Sequence, residues 1–326
     1  MIIRLFLCVA LAGASYLSVA QGKSSVPDDM RALQLPGLSG RVNVFYSPCC
    51  KTRAIEVQSA LAGSLEFYKR HLGIDLDIDA AVLNRNDWNR SMELAKAHAP
   101  YGMTHVRGGV AMIPADDGGV ITQSLLADKA HQTVKSRALL ASIGIDFNQA
   151  AGRFILHPAL HELGHLMAAS SGIEVPRDGD LAWVNEMIAS YFAYAFEREQ
   201  RPDLAIIVAS VAQMSSDHPL YMALPDFPKA AALVQSGNSS NFIWYQHQLE
   251  SHIVDVYEKE GLGFLAELKA AFPAGSAGKL TFEEAISRLD KISPGFKTWA
   301  TSLQNLNADG DKNGPTKALS YILTEQ

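Results

Sequence analysis

The chain has 326 residues, 48% of them hydrophobic and 19% charged, with a formal net charge of −6. Apolar content of that size with modest charge excludes a disordered or low-complexity chain and is enough to bury a sizeable core. The acidic balance and the lack of any Lys/Arg-rich block exclude nucleic-acid binding by charge neutralisation.

Residues 1–20 read as a signal peptide. Arg4 supplies a positive start, residues 5–17 carry no charge, and Ser18, Val19 and Ala20 offer a small-residue cleavage site before Gln21. The apolar run is too short to span a bilayer comfortably. The expected protein is therefore exported, periplasmic or secreted, with no stable membrane span after cleavage. Of the three cysteines, Cys8 falls in the leader, and Cys49 and Cys50 remain. Adjacent in sequence, they can close an eight-membered ring, pair each with another chain, or stand as two free thiols at a helix start, and their spacing is not the Cys-x-x-Cys of a redox pair.

Residues 21–40 read as a loose lead-in. Alternation of Val42, Val44 and Tyr46 predicts a short strand. Ala54, Val57, Leu61, Leu65, Tyr68 and Leu72 recur every three or four residues and predict a helix over 52–72. Ile74, Leu76, Ile78, Ala80 and Val82 alternate with Asp75, Asp77 and Asp79, the pattern of a half-exposed strand. Segments 108–114 and 119–123 predict two more strands around a turn at 116–119. From Leu125 onward the pattern is helical, with helices expected at 125–142, 158–170, 181–199, 203–214, 241–260, 262–271 and 281–290, punctuated by Pro and Gly. The fold class is α+β. An α+β subdomain at 41–170 ends in the helix at 158–170, a helical subdomain follows at 171–306, and 307–326 is a tail. In that tail Asp309, Asp311, Asn313 and Gly314 match half of a calcium loop. Position twelve is Ser320 where a bidentate Glu is required, so 309–320 reads as a turn and not as a Ca2+ site.

The chemistry concentrates in two segments. His161-Glu162-Leu163-Gly164-His165 places two imidazoles about 40° apart on one helix face, the spacing that chelates one metal ion. Glu162 is displaced around the helix, where it reaches a metal-bound water better than the metal. A catalytic zinc also needs a third protein ligand and one open position. Glu186 follows His165 with 20 residues between them, on a second helix after a Pro- and Gly-containing turn. Asn185 and Ser190 stand beside it as candidates for the hydrogen bonds that orient metal-binding side chains. His157 stands at or before the start of the first helix, as a cap or cleft residue rather than a ligand.

Trp183, Asn185, Glu186, Ala189, Ser190 and Tyr191, taken with the His-Glu-x-x-His segment, resemble the signature of the gluzincin metallopeptidases, thermolysin and the membrane-alanyl type of zinc aminopeptidase. The resemblance implies a thermolysin-like catalytic domain and one catalytic Zn2+ held by His161, His165 and Glu186. It implies Glu162 as general base and a peptide or protein as substrate. It implies an oxyanion donor on a later helix: Tyr245 is the first candidate and His247 the alternative, with His252 and Tyr257 behind them. It also implies an exposed edge strand that holds substrate backbone, placed here at Gly109, Val110 and Ala111 after Gly108. The Gly-x-Met-Glu-Asn element of the aminopeptidases has no counterpart, since Met112 is followed by Ile113 and Pro114. Two other functions remain open: a catalytically inactive zinc protein that binds peptides, and an amidase acting on cell-wall peptides.

Overall fold

The structure is a computed structural model that describes residues 27–214, 219–234, 240–276, 278 and 280–305. The leader at 1–20 and the turn at 309–320 lie outside the described residues. The class is α+β: a small mixed sheet in the N-terminal part, then helices.

The sheet has five strands among the described residues: β1 (Gly37–Leu38), β2 (Val44–Tyr46), β3 (Asp79–Leu83), β4 (His105–Arg107) and β5 (Val110–Pro114). Their spatial order is β1-β2-β3-β5-β4. β2, β3 and β5 run parallel, and β1 and β4 are antiparallel edges. The lead-in is therefore partly ordered: it contributes β1 and the short helix α1 (Asp28–Ala32).

The expected half-exposed strand at 74–82 is corrected. Only Asp79–Leu83 pairs, and all five of its residues are buried. Asp75 and Asp77 precede the strand and bind Arg41 at 2.8 and 2.7 Å. Asp79 is buried and accepts from Asn43 Nδ2 at 3.0 Å. The reason is coverage on both faces. Ala80 and Val82 join the main core with Val57 and Leu61 of α2 (Lys51–Leu72). Ala81 and Leu83 face a second cluster with Met30 of α1 and Trp88 and Met92 of α3 (Arg85–Leu94). Alternation here separates two cores, not core from water.

The expected strand at 119–123 is also corrected. It opens a helix, α4 (Val120–Ala127). The helix expected at 125–142 is divided, because Thr133 accepts from Ser136 N and caps a new helix, α5 (Val134–Ser142). An Asp146–Gln149 capping box starts α6 (Phe147–Phe154), which runs into α7 (Leu156–Ser171). Beyond it come α8 (Ala182–Gln200), α9 (Pro202–Ala212), α10 (Phe227–Val234), α11 (Ser240–Glu260), α12 (Phe264–Ala271), α13 (Phe282–Ile292) and α14 (Phe296–Asn305). α7 packs on α8, on α2 and on β5, and α11 packs on α8, α9 and α10. Among the described residues one apolar cluster joins side chains from Val42 to Leu303. Among the described residues no helix is long and apolar enough to cross a membrane.

Candidate metal centre

α7 and α8 carry the two motif segments and cross at a glycine. A Cβ placed on Gly164 would overlap the backbone carbonyl oxygen of Ala189. The x position of the motif nearest the second helix is thus small because main chain occupies the space a side chain would need. That close approach brings Glu186, in the second turn of α8, over the imidazoles of α7.

His161 Nε2 lies 3.2 Å from Glu186 Oε2, and His165 Nε2 lies 3.6 Å from Glu186 Oε1. One donor atom from each of the three residues falls within 4.8 Å of the other two. Four ligands at about 2.0–2.1 Å from a tetrahedral zinc are separated by roughly 3.3 Å, so the two measured separations fit such a centre. The Nδ1 atoms are engaged on the far side of each ring. Ser190 Oγ is 2.9 Å from His161 Nδ1. The Asn185 amide is 3.1 Å from His165 Nδ1. The two ends of an amide are interchangeable by rotation; with its oxygen toward the ring, Asn185 accepts the Nδ1 proton and leaves Nε2 free.

The electrostatics suit a cation. Burial would raise the Glu186 carboxyl, but the charge of His165 and the hydrogen bond from His161 outweigh it and hold it at about 2. Burial pushes His165 down to about 4, so its imidazole is neutral at pH 7. Burial would lower His161, but its hydrogen bond to Glu186 and the charges of Glu186, Glu162 and Glu250 outweigh it and raise it above its usual value, so a metal binding there displaces a proton.

Glu162, His161 and Glu186 line a cleft whose other walls include Leu125, Phe154, Phe242 and Ile243. Gln246 and His247 of α11 line it as well, and Gln246 Nε2 donates to Glu186 Oε2 at 3.2 Å. Tyr245 does not line it. Its hydroxyl donates to the Ala223 carbonyl at 2.5 Å, on another face of α11 from His247. Tyr245 is therefore a packing residue, and the expectation that it faces the site is corrected. Of the other candidates, His252 stacks on Trp299 and Tyr257 donates to Glu199. Trp183 and Tyr191 are structural too: Trp183 stacks on Phe296, and the Tyr191 hydroxyl donates to the Gly261 carbonyl at 2.7 Å.

The expected edge strand is corrected as well. β5 is paired on both sides, so Val110 and Ala111 offer no free backbone edge. Gly108 and Gly109 both have positive φ, +55° and +80°, and form the two-residue turn between β4 and β5. The glycines answer a turn requirement, not an approaching ligand. The edge strand on this side is β4, and Met103 and Thr104 just before it line the cleft.

Joined to the three residues is a buried polar cluster that the sequence did not disclose, and two of its members, His157 and Glu250, also line the cleft. His157 sits inside the first turn of α7 and is 3% exposed. Its Nδ1 is 2.9 Å from Glu197 Oε1, and its Nε2 is 2.9 Å from Glu250 Oε1. With both ring nitrogens held by carboxylates, His157 is not a metal ligand. Ser190 Oγ donates to Glu250 Oε1 at 2.6 Å. A signal for Glu197 was present, a carboxylate directly after the apolar run 191–196. Nothing in spacing joins Glu250 to His157, which stands 93 residues earlier. Of the three states open to Cys49 and Cys50, the structure shows the two bonded to each other.

No family model, curated protein or solved structure matches the chain.

Proposed function

We propose that this chain is an exported, zinc-dependent peptidase. The observation that carries the reading is the convergence of His161, His165 and Glu186, with His161 and Glu186 lining, together with Glu162, a cleft that has apolar walls. A zinc ion held there would supply Lewis-acid polarisation of a carbonyl and a water acidified toward neutral pH.

The chain's own residues then have distinct tasks. The Glu162 carboxylate takes a proton from the attacking water and returns it to the leaving amine. His247 has its imidazole neutral, pushed to about 4 by burial, and it stands on the helix facing the ligands. A neutral ring can donate its one N–H to a developing oxyanion, the task first assigned to Tyr245. The apolar walls exclude water and accept a side chain of the substrate. The composition of residues 1–20 supports export, and the paired Cys49 and Cys50 fit an oxidising compartment.

The test joins metal analysis to cleavage profiling of a peptide library by wild type and Glu162→Gln. The expected result is one zinc per chain in both and cleavage by wild type only. Zinc in both proteins with cleavage by neither favours a peptide-binding function. Cleavage confined to cell-wall peptides favours the amidase function. No stoichiometric zinc in wild type removes the metalloenzyme reading.

A further inference from the structure

The metal-facing nitrogen of His161 is selected by a carboxylate that does not touch it. Ser190 is fully buried and has one hydroxyl proton. Its oxygen is 2.6 Å from Glu250 Oε1 and 2.9 Å from His161 Nδ1. An ionised carboxylate only accepts, so the hydroxyl proton goes to Glu250. The 2.6 Å separation is that of a charge-assisted O–H···O⁻ bond. The remaining lone pairs of Ser190 Oγ then face His161 Nδ1, which must be the N–H donor. With Nδ1 keeping its proton toward Ser190, Nε2, which faces Glu186 Oε2 at 3.2 Å, is the nitrogen whose proton a metal would displace.

The direction of this chain is held from behind. Glu250 Oε1 also faces His157 Nε2 at 2.9 Å, and His157 Nδ1 faces Glu197. His157, with Glu197 and Glu250 on either side, is held in its protonated form and donates to both. Glu250 therefore stays an acceptor toward Ser190. The four residues come from three helices, α7, α8 and α11, so the orientation of His161 is coupled to how those helices pack.

We propose that Glu250 is a positioning residue for the metal centre, fixing His161 through the Ser190 hydroxyl as the Nδ1–H tautomer with Nε2 free for the metal. This inference rests on the zinc reading above. Glu250→Leu is the informative change, because it removes the acceptor of the Ser190 hydroxyl, whereas a Gln would keep its amide oxygen facing both Ser190 and His157. The hydroxyl would then turn toward His161 Nδ1, moving the ring proton to Nε2, where it blocks coordination.

The experiment measures zinc affinity by chelator competition for wild type, Glu250→Leu, Ser190→Ala and the double variant, with folding followed by circular dichroism. Glu250→Leu should weaken zinc binding about 10- to 100-fold, the usual effect of losing a residue that orients a ligand. In the Ser190→Ala background the same change should have little further effect. Unchanged affinity in folded Glu250→Leu overturns the inference, as does an equal loss with and without the Ser190 hydroxyl. Absence of zinc from wild type overturns the zinc reading together with this inference. If Glu250→Leu does not fold, 15N spectra of the wild-type zinc form decide. Coordination of His161 through Nε2 with an exchange-protected proton on Nδ1 supports the inference, and coordination through Nδ1 overturns it.

Discussion

Gly164 stands against the backbone carbonyl of Ala189, with no room between them for a methyl group. The contact sets how closely α7 and α8 approach and so where Glu186 sits relative to His161 and His165. Replacing Gly164 with Ala forces main chain rather than a flexible side chain to move. Overpacking of this kind costs roughly 1–3 kcal/mol. The expected result is a lower urea midpoint and weaker zinc binding in the same variant. A Gly164→Ala protein with wild-type stability and zinc affinity would show that the helices have slack at this crossing.

His247 and Tyr245 are neighbours in sequence, but only His247 lines the cleft. His247→Ala should keep its zinc and lose about 100- to 1,000-fold in kcat, the usual effect of removing an oxyanion donor. Tyr245→Phe removes the bond to Ala223 and should cost about 1 kcal/mol of stability with kcat little altered. The reverse pattern, a folded and zinc-loaded Tyr245→Phe without turnover, would return the role to Tyr245.

Asn185 acts on His165 as Ser190 acts on His161. Asn185→Ala should weaken zinc binding by about 10- to 100-fold while leaving the unfolding midpoint of the metal-free protein nearly unchanged. Isothermal titration of zinc into the apo protein measures the first, and urea unfolding the second. A stability loss with unaltered zinc affinity would make Asn185 a packing residue only.

The buried cluster gives a pH dependence of known sign. Burial alone would lower the His157 pKa, but the charges of Glu197 and Glu250 and their hydrogen bonds to the ring outweigh it and raise it well above 6.5. A histidine raised on folding contributes stability that is fully present below its unfolded pKa, about 6.5. That contribution is lost as pH rises through the higher folded value. Urea midpoints of the metal-free protein should therefore fall from pH 6 toward pH 10, more steeply in wild type than in His157→Asn. Equal slopes for the two proteins would mean that His157 does not carry the dependence.

The pairing of His161 with His165 was legible because its geometry is local. His161 and His165 are one helical turn apart, and any helix there puts them on one face. Glu186 was legible from its neighbours Trp183, Asn185 and Tyr191. Those neighbours keep that helix in place: Trp183 stacks on Phe296, and Tyr191 reaches Gly261. The strand at 79–83 was legible as a strand but not as a central one. Period-two alternation looks the same when the second face meets water and when it meets Trp88 and Met92. Gly108 and Gly109 were read as an opening for a ligand. Their positive φ shows the demand of a tight turn, which leaves the same mark in sequence.

The sequence by itself determined the α+β class and the placing of His161 and His165 on one helix face, because both depend on spacing within single elements. Only the tertiary structure decided which strand is the free edge, which residue of α11 faces the cleft, and that His157 serves two glutamates. Each of those depends on how distant segments meet, as Glu197, Glu250 and Ser190 do around His157 and His161. A buried charge is tolerated only where a partner is within hydrogen-bond reach, and that partner can come from any point along the chain.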